Sequence, residues 1–199
     1  HRTPYTWDKE RVSSYIRYVD TDNQSHWLFD SFLFLEIMDT GTGGANKMFA
    51  KGYNLESANQ ADWTKLIDYY FQSETGIGAL DASVKEASAI LGTPRQKRQI
   101  VISIPEPIVY QHPEQASSST KYWGKIDNQT LDFSNSADRI KACKWYIDQV
   151  RAKFNEKNYQ HVELAGFYWL AEKATDTRDI LNAVAIYLNK LKYSFNWIP

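Results

Sequence analysis

The chain predicts an α/β architecture of consecutive parallel strand and helix units, the first half of a (β/α)8 barrel, preceded by an N-terminal hairpin. Three observations predict it. Apolar runs at 27–38, 100–104 and 162–170 are separated by stretches with helical periodicity. Those runs are nearly continuous rather than alternating, as in parallel strands covered on both faces. The long polar connections follow the strands, and no Gly-rich phosphate loop follows any of them, which favours a barrel over a doubly wound sheet.

Taken in order, Tyr15 to Asp20 alternates and Thr21 to Ser25 is a polar turn, so a hairpin leads into a first buried strand over Trp27 to Met38. A long connection at 39–61 carries Gly41-Thr42-Gly43-Gly44. Asp62 is the expected cap of a helix with Trp63, Leu66, Ile67 and Tyr70 on one face; Gly76 and Gly78 break it, and Leu80 to Leu91 resumes it. The β-branched run Ile100-Val101-Ile102-Ser103-Ile104, stopped by Pro105 and Pro107, is the second strand. After a connection at 112–133, a helix capped near Ser134 or Ser136 turns Ile140, Cys143, Ile147, Val150 and Phe154 inward. Val162 to Leu170 is the third strand, and a helix from about Asp176 follows with Ile180, Val184, Tyr187 and Leu191 on its inner face. Tyr193 to Ile198 opens a fourth strand. The pattern reaches Pro199 before a barrel closes, so 1–199 is expected to be one incomplete barrel domain, completed by a missing C-terminal half or a second copy of the chain.

Composition narrows the partners. A net charge of −1 with mixed signs leaves no basic footprint for nucleic acid. No apolar run approaches the 18 or more residues that a membrane helix needs. Cys143 is the single cysteine, so neither an internal disulfide nor a multi-cysteine metal site is available, and no metal or cofactor is expected. Asp20-Thr21-Asp22-Asn23 lacks the glycine and glutamate of a calcium loop, and no nucleophile elbow or His-Glu-x-x-His occurs.

Chemistry concentrates where the strands end. Glu36 follows Phe32 to Leu35, Glu106 follows Ile104-Pro105, and Glu172 follows Tyr168 to Ala171, so all three belong to one rim. Neighbouring strands bring such carboxyls within the roughly 5 to 9.5 Å of glycosidase pairs. Glu106 and Glu172 are the natural pair, and the aromatic surroundings of Glu172 suit the protonated acid. Aromatics make up 15% of the chain, more than its core requires. Tyr110, Trp123, Tyr168, Trp169 and Trp197 offer flat faces for sugar rings, with His112 and Asn196 as polar partners near the rim.

The strings Trp27-Leu28-Phe29-Asp30-Ser31-Phe32-Leu33-Phe34, Gly166-Phe167-Tyr168-Trp169-Leu170-Ala171-Glu172 and Phe195-Asn196-Trp197-Ile198-Pro199 resemble the DUF4855 family from about Tyr5 onward. The resemblance implies a TIM-barrel, glycoside-hydrolase-like domain of the type common in Bacteroidetes such as Bacteroides, in chains longer than this one. The family pattern more often has tyrosine where Glu106 stands. The expectation is a secreted, carbohydrate-active enzyme, periplasmic or at the cell surface, that cleaves a glycan with Glu172 as acid/base or nucleophile and a partner carboxylate from Glu36, Glu106 or the missing half. The alternative is a non-catalytic glycan-binding or scaffold protein on the same fold.

Overall fold

The computed structural model describes residues 6–40, 45–110, 123–173 and 176–198. It opens with helix α1 (Lys9–Ile16), whose cap Asp8 accepts from the Arg11 N–H at 3.0 Å. The hairpin strands β1 (Arg17–Val19) and β2 (Ser25–Trp27) follow, joined by a turn in which Asp20 accepts the Asp22 and Gln24 N–H groups. Strand β3 is only Ser31–Phe34, much shorter than the apolar run around it, and Leu28 and Phe29 before it are exposed.

Small strands β4 (Met38–Asp39), β5 (Lys47–Met48) and β6 (Glu56–Ser57) follow, β4 taking Met38 from the end of the expected first strand and the others lying in the 39–61 connection. Helix α2 (Gln60–Tyr70) is capped by Asn59, three residues before the predicted cap Asp62. Asn59 accepts from Asp62 N at 3.1 Å, and Asp62 returns a bond to Asn59 N at 3.0 Å, a capping box in which Asp62 is the third helical residue.

Helix α3 (Gly76–Leu91) contains both glycines expected to interrupt it. Gly76 has a φ of 57°, and a Cβ on Gly78 would lie 2.4 Å from the carbonyl oxygens of Gln72 and Ser73. The glycines therefore start the helix by letting it pack against the end of α2. Strand β7 (Arg98–Ile104), the ribbon β8 (Gly124–Ile126) and β9 (Gln129–Leu131), α4 (Ser136–Lys157), β10 (Val162–Trp169), α5 (Arg178–Lys190) and β11 (Ser194–Asn196) complete the order. The cap of α4 is Asn135, between the two serines predicted.

Strands β3, β7, β10 and β11 form one sheet in that spatial order, every pair parallel. The other described sheets are small: antiparallel β1–β2 and β8–β9, and mixed β4–β5–β6. The architecture is therefore mixed α/β around a parallel sheet, with five helices among the described residues. Alternation assigns the faces. Ile100, Ile102 and Ile104 are fully buried with Phe167 and Trp169, in one core with Leu66, Val84, Tyr146, Ile147, Val184 and Leu188 from α2 to α5. On the other face Leu33 is 47% exposed and Val101 is partly exposed, in a cleft that also includes Tyr168 and Asn196.

Candidate functional site at the strand ends

Because the four strands run in parallel, their C-terminal ends lie at one end of the sheet, and the segments after β3, β7 and β10 carry the three glutamates. The chain after β5 crosses this end: Phe49 N donates to Ile37 O at 2.8 Å, and Glu106 N donates to Phe49 O at 2.8 Å. That crossing delivers Lys51 to Glu106. The Lys51 backbone N–H donates to Glu106 Oε2 at 2.6 Å, and the Lys51 ammonium pairs with Asp176, ahead of α5. The same ammonium stands 5.5 Å from the centre of the Tyr110 ring, while the Tyr110 carbonyl accepts from Ser57 Oγ at 2.5 Å.

Glu106 is buried, at 6% exposure. Burial pushes its carboxyl above the ordinary glutamate range; the Lys51 N–H and charge pull it back, and the Asp176 carboxylate adds to the upward push. Lys51 is itself raised, chiefly by its bond to Asp176. The result is a desolvated acid beside an ion pair, held by one fixed main-chain donor.

The other two glutamates have different surroundings. Glu36 is buried and lines an apolar cavity of about 420 Å³ with Trp7, Val12, Phe34, Tyr69 and Tyr70, on the helix side of β3. Glu172 is exposed. The burial expected at Glu172 is found at Glu106 instead. The Glu172 charge is felt at Tyr168, whose phenol is raised first by burial and then by that charge, while the Ile198 N–H pulls it down.

The aromatic residues divide. Trp123, predicted to face a sugar, is 1% exposed; it stacks on Phe133 at 5.4 Å and meets Trp63 edge-on at 5.0 Å. Trp169 is fully buried, with its ring edge-on to Phe195 at 6.1 Å. Neither offers a free face, because the alternation of β10 points Trp169 toward the helices and β8–β9 folds Trp123 onto α2 and α4. Trp197 is 36% exposed, its indole N–H donating to Ala171 O at 3.2 Å, directly beside Glu172 in the chain. Tyr168 and Asn196 line the open cleft of about 550 Å³ on the exposed sheet face together with Trp197, and the Asn196 amide donates to Phe167 O at 3.2 Å. Tyr110 is partly buried; His112 lies outside the described residues, as does Gly41-Thr42-Gly43-Gly44.

Lys51 and Asp176 are the site residues that sequence reasoning missed. Lys51 lies 55 positions from Glu106 and 125 from Asp176, in a polar stretch with no motif. Among the described residues no group of three or more His, Cys, Asp or Glu is arranged to hold a metal ion, and no helix is long and apolar enough to cross a membrane.

With this geometry in place, comparison with known proteins adds one match: the family described as "Domain of unknown function (DUF4855)" covers residues 1–199. Neither the curated proteins nor the solved structures contain a match.

Proposed function

The chain belongs to the DUF4855 family, and from that premise we propose that it is a glycoside hydrolase-like, carbohydrate-active enzyme acting on a glycan at the C-terminal end of its parallel sheet. One observation carries the reading: Glu106 is a buried carboxyl with a raised pKa at a strand end, the condition a general acid needs. In this reading Glu106 protonates the leaving-group oxygen. The partner carboxylate is Glu172, exposed just after β10, or Asp176 once Lys51 releases it. Tyr110, Tyr168 and Trp197 flank the sugar. The parallel sheet is then the first half of a (β/α)8 barrel. Its exposed face at Leu33 and Val101 becomes the barrel interior once further strands, from the same protein or a second copy, close it. An exported setting, where polysaccharides are met, goes with this role.

A screen of plant and host glycans, followed by kinetics of E106Q and E172Q, tests it. E106Q should lower turnover of a natural glycan by about 10²- to 10⁴-fold while sparing aryl glycosides whose leaving group needs no proton. E172Q should impair both substrates. Full activity of E106Q on the glycan removes the assignment. A second reading, a glycan-binding protein without hydrolysis, is favoured by the Lys51–Asp176 pair, which neutralises the carboxylate whose charge acts on Glu106. Glycan binding with no turnover, unchanged in E106Q, selects it.

A further inference from the structure

At the opposite end of the sheet, where β3 and β7 begin, a second cleft of about 570 Å³ is lined by Trp27, Leu28, Phe29, Asp30, Arg95 and Arg98 among others. Arg98 is the first residue of β7, fixed in register with Val162, and its backbone N–H donates to His161 O at 3.0 Å. Its side chain is only 5% exposed. The guanidinium carbon sits 4.4 Å from the centre of the Trp27 ring, so one flat face is covered. Among the described residues the guanidinium donates no hydrogen bond and makes no ion pair, and Nε is buried without an acceptor.

A buried guanidinium without an acceptor is costly, and this one forms part of the cleft wall. Arg95 adds a second, exposed cation with no described acceptor. Asp30 is the opposing charge; it accepts from Ser31 Oγ at 3.0 Å and acts on Arg98 through space without a direct bond. Two cations against one carboxylate leave room for a single negative charge. The rest of the wall combines Thr93, Pro94 and Gln96 with an apolar patch, Leu28 at 41% and Phe29 at 49% exposure.

The geometry points to a binding site for a carboxylate carried on an apolar body, its two oxygens taken by the free edge of the Arg98 fork and the body resting on Leu28 and Phe29. A guanidinium stacked on an aromatic ring is held ready for such planar, two-point recognition, which an ammonium cannot reproduce. The exposed Leu28 and Phe29 patch favours such a body over inorganic anions, which have no apolar surface to bury there. A free small acid and the C-terminal carboxylate of a peptide share this chemistry.

Calorimetric titration of the full chain with N-acetylphenylalanine, N-acetylphenylalaninamide, phenylacetate and sulfate tests the site. Saturable binding of a carboxylate is expected, with the amide and sulfate each weaker by about tenfold or more. Tighter binding of N-acetylphenylalanine identifies a chain terminus as the source, and tighter binding of phenylacetate a free acid. R98K, which keeps charge and stem, should weaken the carboxylate by about tenfold. R95Q should weaken it less, and D30N should tighten it by removing the competing charge. Because Arg95 and Asp30 are exposed, these last two variants report on binding independently of any folding defect at Arg98. Absence of saturable carboxylate binding, equal affinity for sulfate, or indifference to R98K and D30N overturns the proposal.

Discussion

Replacing Gly166 by alanine should displace β11 and, with it, loosen the aromatic rim. Gly166 lies in β10 opposite Ser194 of β11, just after an irregularity in the β7–β10 pairing between Leu164 and Gly166. An added Cβ would stand 1.8 Å from Ser194 Oγ, 2.6 Å from Ser194 O and 2.9 Å from Ser194 Cβ, against the 3.4 Å or more of ordinary contact. The hydroxyl can rotate away, but the carbonyl can yield only if β11 moves by roughly 0.8 Å. Strand β11 has three paired residues, so this shift reaches the Phe195 contact with Trp169 and the bonds from Asn196 to Phe167 O and from Trp197 to Ala171 O. Overpacking of this kind costs about 1–3 kcal/mol, and loss of those edge contacts places G166A toward the upper end. Urea unfolding of both proteins gives the stability difference, and the Trp197 emission, taken as the difference between each protein and its W197F variant, reports whether the rim has loosened. The double variant G166A/S194G should recover part of the loss, because it removes Oγ and Cβ but leaves the carbonyl. An unchanged unfolding midpoint in G166A would refute the contact argument.

Two further predictions follow from the site and the core. Since the folded pKa of Glu106 lies above its ordinary value of 4.5, the folded protein holds more protons than the unfolded chain between those two values. Stability from this group is therefore complete below about pH 4.5 and declines as pH rises through the raised value; E106Q should lack that decline in a series of denaturation curves across pH. Trp123→Ala should cost about 3–5 kcal/mol in thermal or urea unfolding, because it empties the centre of the Trp63, Phe133 and Trp145 cluster, whereas a rim residue would cost little.

Much of the fold was legible locally. Ile100 to Ile104 is too short and too β-branched for anything but a strand, and the spacing of Ile140, Cys143, Ile147 and Val150 could only suit a helix with one buried face. Boundaries were less legible where two residues compete for one role. Asn59 and Asp62 both cap helices well, and only the reciprocal bonds between them show which stands first. Gly76 and Gly78 read as breakers because the reason for a missing side chain, the carbonyls of Tyr70, Gln72 and Ser73, comes from packing against α2.

The site divides along the same line. Periodicity and composition by themselves pointed to parallel core strands with a glutamate following each of the first three, since both follow from the order of apolar and polar residues along the chain. The tertiary structure alone decided that the three acids are unlike: Glu36 in an apolar cavity, Glu172 in solvent, Glu106 buried against the Lys51 N–H and near Asp176. Burial and charge act through space across 55 and 125 positions of chain, and proton affinity depends on those neighbours rather than on the residues adjacent in sequence.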